Sequence, residues 1–160
     1  MIAGVSFDSY YGQGNAADIE AFEALAGIVF PAKYKEVSAK FNGAFILNKP
    51  VFNFYNRLLG EDVTSSAGMF LPFGEIEGSF ERMEVKYCHP PEDFVQGLII
   101  FSVLGNGDAL CFDYRKDRLS DDPEVMMWHH EAVPGSDSEL SFVASSFSKF
   151  LDQLFERPPE

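Results

Sequence analysis

The sequence predicts an α+β fold: a mainly antiparallel (mixed) sheet with helices from the N-terminal part and one C-terminal helix packed on it. Three observations carry this prediction. The densest apolar run, Leu98–Val103, is rich in β-branched and aromatic residues, as suits a strand buried on both faces. It is followed by Gly105-Asn106-Gly107, whose Asn-Gly pair tolerates the positive φ of a tight hairpin, and by a second strand pattern over residues 109–114. Helical signals come before the strands and again after them, without the βαβ alternation of a parallel sheet.

The elements follow in order. Residues 1–14 are an irregular lead. Asn15 suits an N-cap, Asp18 places a carboxylate at the positive end of the helix dipole, and Ile19, Phe22 and Leu25 or Ala26 recur at helical spacing. With Gly27 as a stop, the first helix is predicted over Ala16–Ala26. Pro31 suits the first position of a second helix, which shows Tyr34, Val37 and Phe41 on one face and ends at Asn42-Gly43. Strands are predicted over residues 44–47, 51–59 and 63–71, with Gly60-Glu61-Asp62 as a turn. A short helix is predicted over residues 79–87, capped by Ser79 and ended before His89-Pro90-Pro91. After the central hairpin come a charged loop over residues 116–122 and a strand over residues 125–131 that carries the only tryptophan, Trp128. Ser136-x-x-Glu139 has the form of a capping box. Leu140, Val143, Phe147, Phe150 and Leu154 then fall at steps of three and four, which predicts one long closing helix.

At 160 residues the chain is long enough for a real core, and the whole of residues 1–160 is read as a single domain. A content of 46% hydrophobic and 23% charged residues is that of a globular protein. The 17 phenylalanines imply an aromatic core, each fully buried one contributing about 1.5–3 kcal/mol. Against 12 lysines and arginines stand 25 aspartates and glutamates, a net charge of -13. Such a surface repels phosphate backbones, so nucleic acid is excluded as a partner and a basic protein is favoured. Cys88 and Cys111 do not make a disulfide framework, and Cys111 reads as a buried small hydrophobe. No signal-peptide pattern opens the chain and no apolar run reaches membrane-spanning length. These features predict a reduced, cytoplasmic setting with no membrane contact.

Gly12-Gln13-Gly14-Asn15-Ala16-Ala17 matches a loose dinucleotide-binding form, but it lacks a preceding buried strand and a following parallel unit, so it reads as the entry to a helix. Cys88, His89, His129 and His130 do not make a metal site, because adjacent residues on a strand point to opposite faces; His129 and His130 read as a solvated strand edge. No G-x-S-x-G elbow and no phosphate-binding loop is present. Asp108, Asp113 and Glu131 could be proposed as paired acids, but acids are too frequent here for proximity to signify. The chain is therefore read as non-enzymatic, with no cofactor, metal or catalytic residue. The acidic residues of the last third are more informative. Asp108, Asp121, Asp122, Glu124 and Asp137 are the candidate partner-binding residues, read as lying on loops toward one end of the hairpin and the strand after it, where they would attract a basic partner.

Several segments, in order, resemble the SMI1/KNR4 superfamily, also called SUKH. They are Ile19-x-x-Phe22-Glu23, Phe30-Pro31-x-x-Tyr34 with Phe41-Asn42-Gly43, the glycine-turned strand pair over residues 98–113, Pro123-Glu124-Val125, and Val143-Ala144-Ser145-Ser146-Phe147-x-x-Phe150-Leu151. The sequence departs from the family pattern at Phe30, where leucine is common, at Ala44, and over residues 50–92. The resemblance implies an α+β domain that binds proteins, most often a bacterial immunity protein neutralising a cognate nuclease or deaminase toxin. It also leaves open a regulatory or scaffold protein of the same fold, and a pocket on the sheet would instead favour a small-ligand binder or enzyme.

Overall fold

A computed structural model of the protein describes residues 1–74 and 97–159. The elements are β1 (Phe7–Ser9), α1 (Ala16–Ala26), α2 (Ala32–Lys40), β2 (Ala44–Ile46), β3 (Val51–Asn56), β4 (Glu61–Ser66), β5 (Met69–Phe70), β6 (Leu98–Val103), β7 (Ala109–Asp113), β8 (Glu124–Trp128), β9 (Leu140–Ala144) and α3 (Phe147–Gln153). The helix predicted over residues 79–87 lies outside the described residues, as do Cys88 and His89. Seven strands form one sheet in the order β1-β2-β5-β6-β7-β8-β9, with every neighbouring pair antiparallel, and β3 and β4 form a separate hairpin.

The central hairpin forms where the sequence places it. Leu104 and Asp108 close it, Gly107 donates to the Leu104 carbonyl at 3.1 Å, and Gly107 has φ 96°. β6 is buried on both faces. Ile99 and Phe101 face the helix-covered core, and Leu98 and Ile100 face a second apolar cluster with Ala109, Cys111 and Leu140. The main core is aromatic, as expected. Tyr34 of α2 lies at its centre, with ring centroids 4.9–6.2 Å from those of Phe30, Phe70, Phe73, Phe101, Phe112 and Phe147. Edge-on and tilted contacts of this kind add to simple area burial.

α1 has the predicted bounds because its ends are set locally. Asn15 Oδ1 accepts the Ala17 N–H, and Gly27, at φ 70°, donates to the Glu23 carbonyl. Gly14 lets the entry to α1 pack against α2: a Cβ there would run into the Ser38 carbonyl. Pro31 is the N-cap of α2 and not its first helical residue.

Three predicted elements are corrected. The turn after β3 is residues 57–60, where Leu59 and Gly60 donate to the side-chain and main-chain oxygens of Asn56; Glu61 and Asp62 belong to β4. The strand expected over residues 63–71 is divided at Gly68 (φ 67°), around which Ser102 Oγ donates to the carbonyls of Ala67 and Met69. The long closing helix is in fact strand β9 followed by the short helix α3. Leu140–Ala144 pair with β8, a register irregularity beside Val143 lets both Val143 and Ala144 reach the helix-covered core, and Ser146 caps α3 by accepting the Lys149 N–H. Ser136 and Glu139 form a turn before β9, not a capping box.

Candidate protein-interaction surface

The loop between β7 and β8 is braced by its own side chains. Asp113 takes a two-bonded fork from Arg115, at 2.8 Å from Nε and 2.7 Å from Nη2. Burial pushes the Asp113 carboxyl up, but the hydrogen bonds and charge of Arg115 outweigh it and hold the group below the usual carboxylate range. Lys116 spans the loop to Glu124 at 3.1 Å. Asp117 Oδ1 accepts the Leu119 N–H, and Ser120 Oγ accepts the Asp122 N–H. Arg118 Nη2 donates to the Ala26 carbonyl at 2.8 Å, tying the loop to the end of α1. Asp121 and Asp122 project into solvent and make no ion pair among the described residues.

The five candidate carboxylates do not share one end of the sheet. Asp121, Asp122 and Glu124 come together on and beside the β7–β8 loop. Asp108, between β6 and β7, and Asp137, between β8 and β9, lie at the opposite end because antiparallel strands alternate their connections. The five residues of β7, at ~3.3 Å each, separate the ends by about 16 Å. Asp137 is exposed. Asp108 is not a free carboxylate: its Oδ2 lies 3.1 Å from His129 Nδ1, its Oδ1 lies 2.6 Å from His130 Nδ1, and Oδ1 also accepts the His130 N–H at 3.1 Å. Burial pushes its carboxyl up, and the hydrogen bonds from both histidines more than reverse this, leaving it below the usual range.

This corrects the reading of His129 as part of a solvated strand edge, while His130 is exposed but lies past the end of β8. β8 ends at Trp128 and the chain turns, Ala132 donating to the His129 carbonyl, so alternation no longer separates the two rings. His129 is 1% exposed, and its Nε2 lies 2.7 Å from Ser141 Oγ, which also accepts the Arg57 N–H at 2.9 Å. The network is satisfied when His129 Nδ1–H donates to Asp108, Ser141 O–H donates to His129 Nε2, and Arg57 N–H donates to Ser141. Carboxylate, imidazole and hydroxyl in this order resemble a hydrolytic triad. Ser141, however, has no exposed surface, so its hydroxyl has no side open to a substrate. Cys111 is fully buried too, and burial pushes its thiol far up, away from the reactive thiolate. Among the described residues, no group of three or more His, Cys, Asp or Glu could hold a metal ion. No described helix is long and apolar enough to cross a membrane.

Two surface grooves accompany these features. One, of about 430 Å³, runs along β3 and β4 and is lined by Asn53, Phe54, Asp62, Val63 and Thr64, with Asp62 its one ionisable group. The other, of about 360 Å³, lies beside the β7–β8 loop and includes Arg118 and Leu119. Neither was read from the sequence. The available signal was Leu119 itself, an aliphatic residue inside the charged run Lys116-Asp117-Arg118-Leu119-Ser120-Asp121-Asp122.

The described residues thus form an antiparallel sheet with helices on one face, a braced acidic loop and a closed polar network. The chain belongs to the SMI1 / KNR4 family (SUKH-1), whose model matches residues 14–153. That family is generally one of non-enzymatic immunity and binding modules, which points to protein partners. Neither the curated proteins nor the solved structures yield a match.

Proposed function

We propose that this protein is a cytoplasmic bacterial immunity protein, a single domain over residues 1–160, that binds and neutralises a toxin of nuclease or deaminase type. The observation that supports this most is the β7–β8 loop. It is held rigid from within, and it presents the exposed carboxylates of Asp121 and Asp122 on a chain of net charge -13. An enzyme that acts on nucleic acid needs a basic cleft, and a rigid acidic loop can occupy that cleft in place of phosphate. In this reading Asp121, Asp122 and Glu124 make the contact. Asp137 and Asp108 add to the long-range field from the far end, Asp108 with its oxygens already committed to imidazoles.

The test is a titration against the partner recovered by pull-down and identified by mass spectrometry. Association should slow as salt rises, because exposed charges are screened over about 10 Å at 0.1 M. The variant Asp121→Lys/Asp122→Lys/Glu124→Lys should bind about tenfold or more weakly while remaining folded, since Asp121 and Asp122 are exposed and a surface pair such as Lys116–Glu124 contributes little to stability. Binding that ignores both salt and the triple reversal refutes the proposal, as does a partner whose contact surface is acidic.

A further inference from the structure

The acidic loop borders a groove that charge alone does not use. The groove lies between the last turn of α1, the link into α2 and the β7–β8 loop, and encloses about 360 Å³. Its cations are already committed. Lys35 Nζ sits 3.5 Å from Glu23 Oε2, the same oxygen accepts the Phe30 N–H at 2.7 Å, and Arg118 is bonded to the Ala26 carbonyl. What remains open is aliphatic: Ala24, Ile28, Val29 and Leu119 line it. Leu119 is 85% exposed and Val29 42%. Leu119 is not on a floppy tip, because Asp117 accepts its N–H at 3.0 Å and the Ser120 N–H at 3.2 Å. The loop that carries Leu119 also carries the exposed carboxylates of Asp117, Asp121 and Asp122.

We infer that this groove receives one apolar side chain from a lysine- or arginine-rich segment of a protein partner. The inference rests on the protein-binding reading above and adds to it where the binding energy is concentrated. Interfaces place an apolar anchor in a pocket and surround it with a polar rim. Here the loop that borders the groove is acidic and the groove's own cations are turned to internal partners, so the complementary segment is apolar at its centre and basic on its flanks. A loop already braced loses little freedom on binding.

The experiment uses the full-length, isotope-labelled chain and a short lysine-rich peptide with a single central leucine, followed by amide chemical shifts. Two further peptides replace the leucine by alanine or the lysines by glutamate. The leucine peptide should give saturable shifts at Gly27, Val29 and Leu119. Its affinity should fall about tenfold with the alanine peptide and by a similar factor in the Leu119→Ser variant, a surface change that leaves the fold intact. Equal binding of the leucine and alanine peptides, with shifts confined to residues 117–124, overturns the groove while leaving the charge-led reading in place. Indifference to both leucine and lysine, or no saturable shift, overturns the groove and removes support from the acidic loop as well. Tighter binding of the glutamate peptide overturns the inference by making Arg118 the anchor for an acidic ligand.

Discussion

Ser141 is the position at which the structure makes its sharpest quantitative claim. Replacing it with alanine deletes one hydroxyl from a site with no exposed surface and leaves two groups without partners. His129 Nε2, at 2.7 Å, loses the O–H that satisfies it, and Arg57 N–H, at 2.9 Å, loses its acceptor. A buried polar group left unsatisfied costs about 1–3 kcal/mol. His129 is buried and bears that cost in full, whereas Arg57 is exposed and its amide can turn to water. The expected loss for Ser141→Ala is therefore about 1–3 kcal/mol, which for a chain of this size lowers the melting temperature by roughly 3–10 °C. Calorimetry reads the global effect. Amide exchange reads the local one: the Arg57 amide should lose protection, because its acceptor is gone. A melting temperature within about 1 °C of the parent, together with unchanged exchange at Arg57, would refute the network and reopen Ser141 as a hydroxyl kept for another purpose. A fluorophosphonate probe settles that alternative directly, since an activated serine is labelled and a buried structural one is not.

Two further outcomes follow from the same end of the sheet. Gly107 has φ 96°, and a Cβ on it would approach the His130 ring to 3.1 Å, so Gly107→Val should cost about 1–3 kcal/mol, read as a melting temperature roughly 3–10 °C lower; an unchanged melt would place the turn strain elsewhere. The Asp108 carboxyl is lowered in the folded state from an ordinary value of 3.8, so its contribution to stability is present above that pH and is lost as pH falls through the lower folded value. The stability difference between parent and Asp108→Asn should therefore shrink below about pH 4, measured as urea midpoints across pH; a difference that does not change between about pH 4 and pH 2 would contradict the clamp.

The parts of the fold legible in the sequence are those fixed within a few residues. Asn15 and Gly27 end α1 by bonds to Ala17 and Glu23, and Gly107 turns the central hairpin by a bond to Leu104, all within the reach of a local pattern. The closing segment was misread because its pattern has two sources. Phe147, Phe150 and Leu151 recur as helical residues do, but the step from Leu140 to Val143 arises in a strand whose register irregularity breaks the alternation of two. A bulged strand running into a short helix thus imitates one long helix. The histidine pair was misread for a related reason. Alternation separates His129 from His130 only while the strand continues, and it stops one residue earlier, at Trp128.

The candidate surface was half legible. The sequence gives the acids and their loops, and antiparallel alternation alone puts the β7–β8 loop at the opposite end from the other two, so the division of the five carboxylates needed only topology. What a charge count cannot give is which acids are free. Along residues 113–124 three bases are interleaved with five acids. In the folded chain Arg115 is paired with Asp113 and Lys116 with Glu124, while Arg118 is held by the Ala26 carbonyl. The exposed acids left without an ion pair among the described residues are Asp117, Asp121 and Asp122, on the loop that carries the exposed side chain of Leu119. The pairing that braces the loop also sorts its charges, and a partner meets unpaired acids on the same loop as an exposed aliphatic side chain where the linear sequence shows a mixed run.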